Sequence, residues 1–126
     1  MKAYEKWFQK AENDLLTIKN NFAAEITPID TCCFHAQQAA EKYLKAYLIS
    51  KNVSFTKTHD LEVLLNLLIE ENKIFSKLLP NIIPLQNYGI SPRYPDELDD
   101  LTEEDAKKAY QNALTIKEFI LRNFLS

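Results

Sequence analysis

Glycine is almost missing from this chain of 126 residues, with Gly89 standing alone. Its scarcity removes every phosphate-cradling glycine loop, because such a cradle needs several glycines in register to bring backbone amides close to a phosphate. Cysteine is nearly as rare. Cys32 and Cys33 are adjacent, which is poor geometry for bonding to each other, and no third cysteine exists. A disulfide framework is therefore excluded, and a reducing cytoplasm is the simplest home. No apolar run approaches the roughly 18 residues of a membrane span. Met1-Lys2 leads into charged amphipathic sequence instead of an apolar leader core. His35 with Cys32 and Cys33 is too crowded on one helix for a tetrahedral metal site, and His59 completes it at no recognised spacing. No metal or other cofactor is expected. A helix-turn-helix reader is disfavoured by the lack of a basic recognition helix.

What remains is helix-forming sequence. Leu, Ala, Lys, Glu and Ile dominate, while alternating Thr/Val-rich runs are scarce. This composition predicts an all-α protein, and the length suits one domain over residues 1–126 with a core that needs no staples. The first helix is expected over residues 2–24, with Tyr4, Trp7, Ala11, Leu15, Ile18 and Phe22 as its apolar stripe. Asp14 falls inside that stripe, so it either finds a partner or tilts out at a rim. The central helix is expected over 27–51, with Thr27 as its cap and Pro28 in the first turn. Thr58 is expected to cap a third helix, with Asp60 in its first turn and Leu61, Leu64, Leu65 and Leu68 as the stripe. Residues 72–88 should be helical in pieces, interrupted by Pro80 and Pro84. Thr102-Glu103-Glu104-Asp105 reads as a capping box for a last helix, whose face holds Ala106, Ala109, Tyr110, Ala113, Ile116, Ile120 and Phe124.

The central helix carries the oddity. At about 100° per residue, Cys33, Ala40, Leu44, Tyr47 and Leu48 share one face. Gln37 sits at its centre, Glu41 lies at its edge beside Phe34, and His35, Gln38, Lys42 and Lys45 point away. A buried amide must find partners or cost roughly 1–3 kcal/mol, so Gln37 marks a functional or register-fixing position. Charge is uneven too. Lys42, Lys45, Lys51 and Lys57 occur with no acid between Lys42 and His59, and acids fill 96–105 with no base. Helix macrodipoles account for this pattern as readily as a binding face does. His59, at a helix start, is either structural or a phosphate-contacting, acid–base group. Pro92 and Pro95 bracket Arg93 and Tyr94 in a stiffened, extended segment. That pair either clamps a phosphate and stacks on a base, or pins the segment to Glu41 or Asp14. Mid-helix thiols at Cys32 and Cys33 are expected to be inert.

Taken in order, Ala11-Glu12-Asn13-Asp14-Leu15, Phe34-His35-Ala36-Gln37-Gln38-Ala39-Ala40-Glu41-Lys42-Tyr43-Leu44-Lys45-Ala46, Thr58-His59-Asp60-Leu61, Arg93-Tyr94-Pro95 and a final Ala-rich helix resemble the HEPN family, the higher eukaryotes and prokaryotes nucleotide-binding domain. The likeness covers nearly the whole chain. It implies an up-and-down helical bundle of four to five helices, usually a homodimer, related to the C-terminal helical domain of nucleotidyltransferases. Small members of that family are often encoded beside a minimal nucleotidyltransferase and form a toxin–antitoxin-like pair with it. Many members are metal-independent RNases with a His four to six residues after an Arg. Here Tyr94, Pro95, Asp96, Glu97, Leu98, Asp99 and Asp100 follow Arg93, and only four residues follow Arg122. The acidic run beside Arg93 also repels an RNA backbone.

The leading expectation is therefore an accessory protein that binds a nucleotide or a minimal nucleotidyltransferase. Its site would comprise Asp14, Gln37, Glu41, Lys45, His59, Arg93 and Tyr94, with Lys45 and Arg93 offering charge, Tyr94 a stacking surface and Gln37 hydrogen bonds. The alternatives are an RNase toxin using Arg93 and His59, and a purely structural dimeric interaction domain. No membrane partner is expected.

Overall fold

A central helix, α2 (Ile29–Ser50), organises the protein: thirteen of its 22 residues are buried, which only a helix covered on several sides achieves. In the computed structural model, which describes residues 1–88 and 101–124, α1 (Ala3–Phe22) packs along one flank of α2. α5 (Glu103–Phe124) packs along another. α3 (Leu61–Glu71) crosses back over α2. A 3-10 stretch (Lys73–Leu78), the single turn α4 (Leu79–Ile82) and a second 3-10 stretch (Ile83–Tyr88) then follow, packing against α3, and the last of them also against α2. No strand occurs among the described residues. The fold is the expected all-α bundle. None of the described helices is long and apolar enough to cross a membrane.

The local causes are legible. Alanines at 36, 39 and 40 of α2 and at 106, 109 and 113 of α5 are all buried, and their small side chains let the two backbones approach. Larger groups fill the ends: Tyr47 meets Phe75 edge-on at 4.7 Å, and Phe75 meets Phe119 at 5.7 Å. At the start of α5, Thr102 Oγ1 accepts from the Asp105 amide and Asp105 Oδ2 accepts from the Thr102 amide, the reciprocal box expected there. Pro80 occupies the first turn of α4, where a missing N–H is harmless, and the helical run breaks around it as expected.

Three local expectations are corrected. α2 begins one residue later than Thr27 would allow, because Pro28 has the extended ψ of 93° and acts as the N-cap residue, its carbonyl accepting from Cys32. Asp60, not Thr58, caps α3: its carboxylate accepts from the Glu62 and Val63 amides, while Thr58 Oγ1 accepts from the amide of Asp60. Lys45 does not point to solvent. It is 5% exposed, because Trp7 of α1 and Phe55 of the connector cover that side of α2.

Candidate functional site

Gln37, Glu41 and Lys45 are spaced by four residues, so they line one edge of α2. Their polar ends form a chain. Glu41 Oε2 accepts from Lys45 Nζ at 2.9 Å, and Glu41 Oε1 accepts from His59 Nδ1 at 3.0 Å. Gln37 Nε2 donates to the His59 carbonyl at 3.2 Å and reaches Glu41 Oε1 at 3.4 Å. Gln38 Nε2 closes the chain by donating to Gln37 Oε1 at 2.7 Å. Gln37, Glu41 and Lys45 are buried. Burying a lone carboxylate or ammonium is prohibitive, and here Lys45 donates to Glu41, which also accepts from Gln37 and His59. The Lys45 ammonium also lies 5.5 Å from the Trp7 ring centre and 5.9 Å from that of Phe55, a favourable setting for a desolvated cation.

His59 is the outlet of this seam. Its backbone carbonyl and ring Nδ1 are both held from α2, yet its side chain is 57% exposed. Since Nδ1 donates to Glu41, the other ring nitrogen, Nε2, is the one left for a ligand or a proton. The corner is fixed from beneath as well. Asp60, the next residue, accepts from Gln86 Nε2, and Gln86 Oε1 accepts from the Leu61 amide at 2.9 Å.

A second polar cluster joins α1 to α2. Of the two alternatives open for Asp14, the structure has the first: it is buried in the stripe of α1 and paired, Oδ1 accepting from His35 Nδ1 at 2.8 Å and Oδ2 from Lys42 Nζ. His35 and Lys42 leave the apolar face of α2 as expected, and α1 lies on that flank to receive them. Next to this cluster a shallow cavity of about 250 Å³ is lined by Lys6, Trp7, Lys10 and Lys42.

Of the seven candidate residues, the fold thus gathers Gln37, Glu41, Lys45 and His59. Asp14 belongs to the neighbouring cluster, bonded to His35 and Lys42. Arg93 and Tyr94, and any bond they make to Glu41 or Asp14, lie outside the described residues. Sequence reasoning missed Gln86 and the role of Trp7. The i, i+4 spacing of Lys6 and Lys10 on α1 could have marked a basic edge, whereas nothing local announces Gln86. Burial holds the Cys32 thiol above its ordinary range, opposed by a hydrogen bond with Asn21 and reinforced by the charge of Asp30, as suits an unreactive cysteine.

Comparison with known proteins adds the context. The model of the HEPN domain matches residues 4–123. A protein of Methanocaldococcus jannaschii that bears the name "Putative toxin MJ1304" is 30% identical over 138 residues, covering 97% of this chain and 88% of that protein. In the crystal structure of ST0689, an archaeal HEPN homologue, the same fold recurs with a TM-score of 0.78 at 22% identity, covering 98% of this chain and 99% of that one.

Proposed function

The chain belongs to the HEPN family, and from that premise we propose that it is the helical member of a toxin–antitoxin-like pair, acting as a homodimer that binds a nucleotide, a minimal nucleotidyltransferase, or both. The observation that carries this reading is the seam itself. A packing-only helix has no use for an amide, a carboxylate and an ammonium along one edge, and this edge ends in a half-exposed imidazole. Gln37, Glu41 and Lys45 satisfy one another and so position His59, which offers the contact. Asp14 orders the flank. Arg93 and Tyr94 would complete the site with a guanidinium and a ring. The name borne by the M. jannaschii relative supports the toxin-like context.

Calorimetry with ATP, GTP and their monophosphates tests the ligand part, with the chain alone and mixed with a minimal nucleotidyltransferase. Saturable binding that weakens in His59→Ala is expected. Uniform absence of heat under all of these conditions rejects it.

A second reading is favoured by one specific geometry. An imidazole oriented through Nδ1 by a buried carboxylate, with Nε2 outward, is the arrangement of a general acid–base, so the chain could cleave RNA with His59 moving the proton and Arg93 stabilising the phosphorane. RNA cleavage that survives both His59→Ala and Arg93→Ala contradicts these roles. Absence of any cleavage removes the enzyme reading.

A further inference from the structure

Trp7 is the only tryptophan in the chain, and although its ring covers the buried Lys45 it also stands at the surface of α1. Phe8 and Phe22 of the same helix pack against the hydrophobic core cluster, but Trp7 is not among the residues packed there. Its ring forms part of the shallow cavity shared with Lys6, Lys10 and Lys42, whose surface is apolar, as the indole and the lysine stems make it. Lys42 shares Asp14 with His35, while Lys6 and Lys10 have no carboxylate partner among the described residues. Beneath, the buried Lys45 lies 5.5 Å from the indole centre, so one side of the ring is set against a fixed cation that Glu41 neutralises.

We propose that this groove is the part of the nucleotide site beyond His59, across the Glu41–Lys45 pair, in which a base stacks on Trp7 and phosphates are held by Lys6, Lys10 and Lys42. A planar apolar platform ringed by cations fits a flat aromatic base carrying phosphate, because stacking tolerates any base and each ammonium serves as a point charge for phosphate oxygens. At about 250 Å³ the cavity falls just under the roughly 300–1,000 Å³ of sites that enclose a drug-sized ligand, which suits one ring with its phosphates outside. The same chemistry comes from a free nucleotide or from an unpaired nucleotide in single-stranded RNA. The inference rests on the nucleotide reading above and adds the residues that make contact.

The lone tryptophan makes the test direct, since intrinsic indole emission reports on this groove alone. ATP, AMP, tripolyphosphate, a short single-stranded RNA and its duplex form are titrated while emission and heat are recorded. The expected result is saturable quenching by ATP or the single strand, with affinity falling about tenfold in the Lys6→Glu/Lys10→Glu double variant. Circular dichroism of that variant should match wild type, since both lysines are exposed. Tighter binding of the single strand assigns the groove to RNA, and equal binding assigns it to free nucleotides. Heat of binding without any change in emission overturns this groove while leaving the nucleotide reading intact. Absence of binding by either measure removes both. Tripolyphosphate binding as tightly as ATP, duplex as tightly as single strand, or polyglutamate competing equally with RNA would each show that no base stacks there.

Discussion

Glu41 holds three donors from two elements while itself only 3% exposed, so its removal strands the most charge. Glu41→Ala leaves the buried Lys45 without a counter-ion and is expected to cost about 3–5 kcal/mol in urea unfolding. The double replacement Glu41→Leu with Lys45→Met should recover most of that loss, because an apolar pair of similar volume avoids desolvation altogether. A Glu41→Ala protein as stable as wild type would mean the seam is solvated. Tyr43 makes the opposite case. Its hydroxyl is buried and, among the described residues, has no partner in good hydrogen-bonding geometry, the Glu12 carboxylate being near but outside it, so Tyr43→Phe is expected to be neutral or to stabilise by up to about 1 kcal/mol. At this scale Gln37 was readable as an amide on an apolar face. The burial of Lys45 was not, because the rings that cover it come from α1 and from the connector after α2.

The ends of the helices decide where the site residues stand. Asp60 caps α3 and receives Gln86, so Asp60→Ala should cost about 1–2 kcal/mol, seen as a lower midpoint of thermal unfolding. It should also loosen His59, whose neighbour would lose its anchor. α2 ends differently. Asn52 has φ of 58°, with its amide donating to the Ile49 carbonyl and that of Val53 to the Leu48 carbonyl at 2.9 Å. This is the left-handed helix stop that glycine usually supplies, and asparagine fills it in a chain with one glycine. Asn52→Gly should leave stability nearly unchanged, whereas Asn52→Val should lose about 1–2 kcal/mol. Thr102 and Asp105 announced their cap through spacing alone. Spacing favours Thr58 as the cap with Asp60 in the first turn, whereas Asp60 holds the cap and also accepts from Gln86, a contact from a distant part of the chain.

For the molecule as a whole, burial has one consequence for pH. The Cys32 thiol and the Tyr43 and Tyr47 phenols are all pushed up by desolvation, Tyr43 furthest, with the charge of Glu12 added there and that of Glu71 at Tyr47. Each group is held neutral in the folded protein. Its contribution to stability is whole below the ordinary values of 9.0 for the thiol and 10.0 for the phenols, and declines as pH rises past them. The urea midpoint is therefore expected to fall between about pH 9 and pH 11, and Tyr43→Phe should flatten that fall. The bundle itself was legible because composition, helical periodicity and the capping box of the last helix agree. The juxtaposition of α1 with the Lys45 edge was not, since helical periodicity assigns faces but does not say which neighbour covers them.

The proposed contact with a ligand or partner is His59, an imidazole held by the buried Glu41 carboxylate. The chain has two histidines, so histidine-selective NMR gives two imidazole signals, from His35 and His59. The His59 signal is expected to shift as nucleotide or a minimal nucleotidyltransferase is added to saturation. A His59 signal that stays in place while calorimetry records saturable binding would contradict that contact.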